Sequence, residues 1–460
     1  MTRMHRRRFL VLAQVLGLSP WFADIADAQS TTPRVRRSVT SPLAVKDIDT
    51  LRRGVSLLKS ATTDTDYSSW MYWANSHGMP NAVPDEMERV WARCPHRSAD
   101  FLSWHRAYLF FFEALVREVT EEDGFALPYW DWYASPAIPD AYLTATLPTG
   151  DNGLFHEDRR YRRLTLVRDW LNQPTFFQFQ RSLEQNPHDT VHVMVNGEMG
   201  NVATSARDPL FWAHHANLDR MWQVWLAADG SRKNPSQTQW LAQEFAFDVA
   251  GKKAMAARQL LIPEEMGYRY DNTAVSGSDA LPARPAKVVS SPSMMGVDLS
   301  ASGEKVLSRG ANLRLTAESV TYKLAVPPNA RDKLNKIAAP GGSAAGSLKV
   351  RFTGVRPTEA GVTRGFEYRV YANLPSGDQK DGRHESHYLG VINSFQLGHH
   401  GSHGVTLDFA LNAVALRLGA ASKWTPGMVE VSLVNDDTAV GATLVAIDRI
   451  DLVLDEGSDI

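Results

Sequence analysis

The chain has 460 residues, of which 43% are hydrophobic and 22% are charged, proportions typical of a folded globular protein and not of a disordered chain. A length of this order provides for two or three domains with substantial cores. The 49 basic and 51 acidic residues give a formal net charge of −2, so the basic excess of a nucleic-acid binder is missing and no nucleic-acid partner is expected.

The first 28 residues have the pattern of an export signal. Two arginines, a spacer and Phe-Leu occur within Arg6 to Leu10, an apolar stretch runs from Phe9 to Leu18, and Ala26 to Ala28 offers a small-x-small cleavage site. This pattern is typical of the bacterial twin-arginine route; the alternative is a basic, apolar start that only resembles a signal. We therefore expect a periplasmic or secreted protein, and no later apolar run reaches the ~20 residues of a membrane span.

Residues 29–271 form the predicted first domain, in which apolar residues recur at helical spacing. A long helix rich in aromatic residues is predicted from Phe101 to Val119, and 11 of the 13 tryptophans lie before residue 226, which indicates a rigid aromatic core. The other predicted helices span residues 44–60, 175–183, 188–195 and 209–227.

A linker is predicted at residues 272–300, where Ser, Ala, Pro and Gly dominate. Beyond it, residues 301–460 alternate apolar and polar residues in short runs separated by Gly and Pro, the pattern of an all-β sandwich. The clearest runs are residues 313–316, 347–352, 365–373, 405–409 and 429–434. The predicted fold class is therefore a multidomain α + β protein, with a mainly α-helical domain built on a helix-bundle core and a smaller β-sandwich domain after it.

The informative histidines form two clusters in the helical domain: His77, His96 and His105, and then His188, His192 and the adjacent pair His214 and His215. The four-residue spacing of His188 and His192 puts both imidazoles on one face of a helix, as a two-ligand metal site. A single histidine on an apolar helix is more often a satisfied core residue than a ligand. Six of them in two triplets favour a metal centre.

Copper is the metal that this donor set favours. An all-imidazole site without paired cysteines argues against structural zinc, and the lack of facing carboxylates argues against di-iron. Imidazole suits copper, zinc and nickel, and the affinity order favours copper. Two three-histidine sites on facing helices meet the needs of a copper pair that binds O₂ between the metals. The competing interpretation is an extracellular binding module whose histidines scavenge metal.

The segments around these histidines resemble those of a known family, the tyrosinases and polyphenol (catechol) oxidases. Three segments resemble its copper-binding signatures: Trp104–Leu109, Pro187–His192 and Asp208–Trp222. Four more resemble the end of the catalytic domain and the following β-domain of plant-type polyphenol oxidases: Trp240–Phe245, Gly267–Tyr270, Val350–Val355 and Phe366–Tyr371. The resemblance covers nearly all of the mature chain.

The resemblance implies a type-3 copper centre with two copper ions as cofactors and O₂ as co-substrate. One copper would be held by His77, His96 and His105, and the other by His188, His192 and His215. His215 is preferred to its neighbour His214 because it occupies the family's ligand position, with His214 packed beside it.

The resemblance also assigns residues beside the second copper. Glu184, four residues before His188, resembles the glutamate that orients a water able to take the phenol proton; the alternative is a solvated helix carboxylate. Asp189 stands where many monophenol-hydroxylating relatives have Asn, so hydroxylation of monophenols depends on a residue that departs from the family pattern. Val202 stands where plant catechol oxidases often carry a bulky Phe over the second copper, as a substrate gate.

The single cysteine, Cys94, lies two residues before His96 and cannot form an intrachain disulfide. Several members of the family join a cysteine to the second histidine of the first copper site by a thioether, which implies such a bond between Cys94 and His96. The alternative is a buried small hydrophobic residue with an inert thiol.

We therefore expect a copper oxidase that converts small phenolic o-diphenols to o-quinones and also hydroxylates monophenols. A haemocyanin-like protein that binds O₂ without turnover is the alternative with the same site chemistry. In plant-type relatives the β-domain covers the copper entrance and keeps the enzyme latent, so cleavage between Ala274 and Ser293 is expected to raise diphenol turnover; the alternative is a domain that completes the fold. Nothing in the sequence predicts an oligomeric state.

Overall fold

The computed structural model describes residues 32–78, 80, 82–275, 287–290, 294–298, 304–310, 312–339, 346–375, 384–398, 404–436 and 441–455. The predicted export signal, residues 1–28, lies outside the described residues. The chain forms two compact units, and neither is continuous in sequence. The first contains residues up to Arg159, Gln173–Arg181 and Ala203–Gly277; the second contains Arg160–Asn172, Ser182–Val202 and the residues from Ser278 onward.

Eleven α-helices lie in the described part of the chain: α1 (Val45–Lys59), α2 (Trp70–His77), α3 (Phe101–Thr120), α4 (Phe176–Leu183), α5 (Asp189–Val195), α6 (Leu210–Ala228), α7 (Thr238–Leu241), α8 (Pro328–Ile337), α9 (Glu359–Arg364), α10 (Ser394–Gly398) and α11 (Asn412–Ala420). The five helices predicted in the first domain are all present, with ends within two residues of the predicted ones. Apolar periodicity located them correctly because each buries one face or, for α3 and α6, nearly every side chain.

Helices α2, α3 and α6 form the centre of the first unit. Trp212 of α6 stacks on Phe112 of α3 with ring centroids 3.5 Å apart and planes 13° apart. Trp73 of α2 lies 5.9 Å from the same Phe112 ring. Because rigid aromatic side chains fix the spacing of these helices, the histidines that the helices carry are held at defined separations.

A buried ionic cluster joins the first and last strands of the first unit, β1 and β6, to its central helices α3 and α6. Arg36, in the strand β1 (Arg34–Arg36), donates to Glu113 of α3 at 2.8 Å and to Asp219 of α6 at 3.1 Å. Asp219 also accepts hydrogen bonds from Tyr268 and Tyr270 of the strand β6 (Tyr268–Tyr270), at 2.7 and 2.6 Å. Burial alone would raise the pKa of Glu113, but the nearby arginines, Arg36 foremost, lower it to about 2. Charges buried in this way are tolerated only when they are paired and fully hydrogen-bonded.

Eighteen strands lie in the described part of the chain. The first unit has short pairs only, formed by β1 with β6, by β2 (Thr146–Leu147) with β3 (Gly150–Asp151), and by β4 (Glu244–Ala246) with β5 (Ala254–Ala256). The other twelve are β7 (Lys287–Ser290), β8 (Met294–Asp298), β9 (Glu304–Gly310), β10 (Leu313–Leu315), β11 (Val320–Ala325), β12 (Ser347–Pro357), β13 (Glu367–Ala372), β14 (Tyr388–Asn393), β15 (Val405–Ala410), β16 (Met428–Val434), β17 (Val445–Ile447) and β18 (Arg449–Asp455).

These twelve strands make two sheets in the second unit. One sheet has the order β10-β17-β12-β18-β9-β8, with β15 also paired to β12, and the other has the order β14-β13-β16-β11-β7. Alternate apolar side chains of β12, β13, β16 and β18 enter one hydrophobic core together with residues of α8 and α11, as expected for strands with one buried face.

The fold class is confirmed as a helical part followed by a β-rich part, and the structure adds two corrections. The C-terminal part is not all-β, because α8 to α11 lie between its strands. Strands β7 and β8 lie inside the stretch predicted as a linker, residues 272–300, and pair with β11 and β9. Both are short and stand in a stretch dominated by Ser, Ala, Pro and Gly, which hid the strand signal. No helix of the described residues is long and apolar enough to span a membrane.

Candidate metal centre

Three elements of the first unit position the first histidine cluster. His77 is the last residue of α2, His105 lies in the second turn of α3, and His96 lies in the loop that leads to α3. The imidazole centroids of His77, His96 and His105 are 5.1, 5.5 and 5.8 Å apart. The three rings therefore form a nearly equilateral triangle, and with Cys94 they make a group whose candidate ligand atoms lie within 4.8 Å of one another.

Hydrogen bonding determines which nitrogen of His105 faces this triangle. Its Nδ1 lies 2.7 Å from the carbonyl oxygen of Phe101, which can only accept, so Nδ1 carries the proton and Nε2 keeps its lone pair. Burial lowers the pKa of His105 to about 3, so the ring is neutral near pH 7. A neutral imidazole with a backbone partner on Nδ1 is the form that binds a metal through Nε2.

Cys94 lies inside the first cluster rather than beside it. Its Sγ is 3.7 Å from Nε2 of His96 and 3.4 Å from Nε2 of His105. The sulfur is therefore at contact distance from the ring with which the thioether was predicted, and it is closer still to a second ring, that of His105.

The second cluster begins at a kink between α4 and α5. Residues Glu184–His188 form a wide helical turn that contains Pro187 and a non-helical Asn186, and α5 follows directly. The rings of His188 and His192 are 4.6 Å apart and nearly perpendicular, at 77°. His192 Nδ1 lies 2.8 Å from the carbonyl oxygen of Met199, and His188 Nδ1 lies 2.8 Å from Asp189 Oδ1. Both Nδ1 atoms are donors, so both Nε2 atoms are left as metal-binding atoms.

The adjacent histidines of α6 differ in their hydrogen bonding. Trp132 Nε1 donates to Nδ1 of His214 at 3.1 Å; because an indole N–H can only donate, neutral His214 carries its own proton on Nε2. His215 instead stacks on His105, with centroids 4.3 Å apart and planes 16° apart, and lies 5.9 Å from His77. His188 and His192 in the second unit, and separately His214 and His215 in the first, supply further candidate ligand atoms.

The three other residues singled out from the sequence are buried in the second unit. Glu184 is 2% exposed in the wide turn, and its carbonyl oxygen lies 3.2 Å from His188 Nδ1. Asp189 is fully buried and uses one carboxylate oxygen on His188. Val202 is 2% exposed. A solvated helix carboxylate is therefore not the environment of Glu184.

Sequence reasoning missed three residues of the β-rich part that contact the helix α5. Phe395 of α10 stacks on His192 with centroids 4.1 Å apart and planes 11° apart. Asn393 contacts Asp189, and Glu367 contacts Thr190. The one available signal was an acidic residue, Glu367, at the start of a strand whose other residues, apart from Arg369, are apolar or aromatic; no local motif marks the other two.

Comparisons with known proteins agree with this arrangement. The family model described as the common central domain of tyrosinase matches residues 67–163 and 151–228, and a domain of unknown function (DUF7868) matches residues 304–454. The tyrosinase HcTyr1 of Hahella sp. is 30% identical over 417 residues, 80% of this chain and 84% of that protein.

Two other relatives match shorter stretches. The latent polyphenol oxidase of Prunus armeniaca is 30% identical over 227 residues, 38% of either chain. Hemocyanin 1 of Megathura crenulata is 26% identical over 304 residues, 56% of this chain but 9% of the hemocyanin.

Solved structures show the same fold over almost the whole chain. A latent aurone synthase (polyphenol oxidase) superposes with a TM-score of 0.56 at 18% identity, covering 93% of this chain and 90% of that one. A latent apple tyrosinase also gives a TM-score of 0.56 at 18% identity, covering 92% and 98%.

Proposed function

Because the chain belongs to the tyrosinase family of type-3 copper oxidoreductases, whose cofactors are two copper ions, we propose that it oxidises small o-diphenols to o-quinones with O₂. Each diphenol loses two electrons and two protons, and one O₂ takes those of two diphenols to become two waters. The observation that carries the proposal is the set of imidazoles with Nδ1 held by protein acceptors and Nε2 left for metal.

The donor set fits the metal pair. Our ligands for one copper are His77, His96 and His105, and for the other His188, His192 and His215. The Nε2 proton of His214 supports the choice of its neighbour, and the stacking of His215 on His105 supports two adjoining metals. Bound copper would supply O₂ binding and electron transfer, while the protein supplies neutral, oriented imidazoles and an aromatic surrounding that limits water.

We assign the proton chemistry to residues at the kink before α5. Glu184 is buried four residues before His188, where its carboxylate would orient the water that takes the phenol proton. Asp189 holds His188 through Nδ1, and Val202 leaves the gate position small. With these roles the enzyme also hydroxylates monophenols, at a rate that Asp189 limits.

A thioether between Cys94 and His96 is part of the proposal and would fix the His96 ring covalently. The contact of 3.7 Å between Sγ and the His96 ring is compatible with this bond. The copper-loaded, denatured chain is then expected to contain no free thiol and to weigh about two hydrogens less than the sequence mass. A full equivalent of reactive thiol in active enzyme would exclude the bond.

We further propose that the β-rich part keeps the enzyme latent and that the twin-arginine signal exports it to the periplasm or beyond. Phe395 supports latency, because its ring lies flat on His192, where an aromatic substrate would gain the same stacking contact. Export of a folded chain would suit a protein that acquires buried metal.

The experiment that tests this function measures turnover and copper together. Copper-loaded protein is expected to bind two coppers and to oxidise a catechol; oxygen binding without turnover would favour the haemocyanin-like alternative. His105→Ala or His192→Ala should abolish oxidation and lower copper towards one per chain, because two imidazoles do not complete a three-ligand site. Two coppers and most of the activity in either variant would refute the ligand assignment.

The pair on α6 supplies a matched comparison for the same experiment. His215→Ala should lose the second copper, whereas His214→Ala, which removes the partner of Trp132, should retain it. If His214→Ala lost the second copper and His215→Ala kept it, His214 would be the ligand and His215 would not.

A further inference from the structure

One cross-strand pair of β13 and β14, called the rung here and formed by Glu367 and Asn393, contacts the helix α5. Glu367 of β13 lies directly opposite Asn393, the last residue of β14, so both side chains leave the same face of the sheet. Thr190 Oγ1 donates to Glu367 Oε2 at 2.5 Å, and Asn393 Nδ2 donates to Asp189 Oδ2 at 3.5 Å. Two paired residues of the sheet thus hold two consecutive residues of the helix.

This contact continues to a metal-binding ring. The carboxylate of Asp189 accepts from Asn393 with one oxygen and from His188 Nδ1, at 2.8 Å, with the other. A carboxylate behind a ligating histidine fixes the ring's orientation and its tautomer, and such partners commonly change metal affinity 10–100-fold when they are removed. The sheet is therefore connected to His188 through a single side chain.

The rung and its partners are sealed from solvent. Glu367 is 3% exposed, and Asn393, Asp189 and Thr190 are fully buried. A polar group in such a place is costly unless it is hydrogen-bonded, so displacing α5 would leave several donors and acceptors unsatisfied together. Burial raises the pKa of Glu367 to about 8; the carboxyl is protonated near pH 7 and adds no second negative charge near Asp189.

We propose that Glu367 and Asn393 are positioning residues for the second copper, which hold α5, through Thr190 and Asp189, so that His188 and His192 meet the metal together. The inference rests on the proposed function, because it takes both histidines as ligands. It gives the β-rich part a role in assembling the site, separate from covering it. Phe395 would cover the copper site, whereas Glu367 and Asn393 would hold the helix α5.

The test is a copper competition titration on the full-length, copper-loaded chain, with the melting temperature measured on the same samples. Thr190→Val keeps the side-chain shape but removes the donor to Glu367, and Asn393→Asp removes the donor to Asp189 while keeping the oxygen that accepts from the Gln396 amide. Each is expected to raise one of the two copper dissociation constants by about 10–100-fold and to leave the other unchanged.

Two controls separate positioning from general stability. Thr190→Ser restores the hydroxyl and should restore wild-type affinity. Thr321→Val removes a buried hydroxyl whose partner is Ser432, at 2.9 Å, between two strands of the same unit; it should lower the melting temperature without changing either copper affinity.

The outcomes distinguish the two proposals. Wild-type copper affinities in both Thr190→Val and Asn393→Asp overturn the positioning role, as does an equal loss of copper from Thr321→Val. Failure of the proposed function shows in the wild-type chain itself, as a copper content below two.

Discussion

The proton on each imidazole decides which histidine can bind a metal. Partners fixed to Nδ1 of His105, His188 and His192 leave Nε2 available to a metal, whereas Trp132 reverses this arrangement for His214. The spacing of histidines in the chain predicted where ligands would cluster. It could not predict tautomers, because the deciding partners include carbonyl oxygens, which every residue possesses and no motif identifies.

Asp189 is the single residue whose replacement should change the reaction most selectively. In Asp189→Asn the amide oxygen still accepts from His188 Nδ1, but the amide nitrogen can no longer accept from Asn393. Copper affinity should therefore fall as in Asn393→Asp, and excess copper keeps the content at two. The lost negative charge removes a field that favours the protonated form of nearby groups, so a nearby carboxylate is more fully ionised and able to take the phenol proton. The ratio of monophenol hydroxylation to diphenol oxidation is then expected to rise about tenfold.

Initial rates with a monophenol and its own diphenol, at matched copper content, measure this ratio. Asp189→Ala is the control, since it removes the acceptor altogether and should lose copper. An unchanged or lower ratio in Asp189→Asn would count against the water-orienting role of Glu184.

At the scale of elements, the sequence predicted α5 and β13 themselves but not the contact between them. Periodicity located α5 because its apolar residues recur at helical spacing, and alternation located β13 because its core-facing residues recur at every second position. The rung that joins them was not predictable, because it depends on the pairing of β13 with β14 and on the packing of that pair against a helix encoded far earlier. Strands β7 and β8 were missed for a related reason: their pairing, not their composition, makes them strands.

Glu367 should make the stability of the second unit depend on pH. Its folded pKa, about 8, lies above the ordinary value of 4.5 because the carboxyl is buried, close to Asp436 and Asp189, with Thr190 and Arg369 only partly offsetting this. The folded chain therefore binds more protons than the unfolded chain between these values. Stability is highest below pH 4.5, falls as the pH rises, and levels off above about pH 8. The loss is on the order of 5 kcal/mol.

Thermal unfolding of wild type and Glu367→Gln between pH 5 and pH 9 measures this contribution. The amide keeps an acceptor for Thr190 but cannot ionise. The two melting temperatures should therefore agree near pH 5, separate steadily as the pH rises to 8 and differ by a constant amount above it, with the variant higher. Parallel profiles across the whole range would show that folding does not raise the pKa of Glu367.

At the scale of the molecule, the compact units do not follow the order of the chain. The segments Arg160–Asn172 and Ser182–Val202 belong with the β-rich residues rather than with the neighbouring helices. The backbone N–H groups of Arg160 and Arg162 donate to carbonyl oxygens of α5. Asn196, at the end of this helix, donates through its side chain to the carbonyl oxygen of Arg364. A boundary drawn near residue 271 from composition alone separates α5 from the sheet that holds it.

Uncovering and removing the β-rich part should therefore have opposite effects. Phe395→Ala deletes the ring on His192 and is expected to raise diphenol turnover about five- to tenfold, the equivalent of one lost aromatic contact, at unchanged copper content. The expectation from the sequence, that cleavage between Ala274 and Ser293 raises turnover, is revised by the positioning proposal: cleavage that releases the sheets should instead lower copper towards one per chain.

Steady-state rates with a catechol, together with copper analysis, decide between these effects. Phe409→Ala, a buried phenylalanine on β15 of the same unit, controls for the cavity that any such deletion leaves. Equal falls in turnover and melting temperature for the two phenylalanine variants would assign Phe395 to packing alone.

The position of Glu367 and Asn393 in the chain also affects the order in which the two copper sites can be completed during translation. The ribosome makes His188 and His192 long before it reaches the strands that hold them, so the nascent chain can complete its first three-histidine site well before its second. If the strands hold α5 as proposed, activity would wait for the end of translation. A message cut short, or a chain stalled on the ribosome, would yield a protein with one usable copper site and no capacity to release quinones inside the cell that made it.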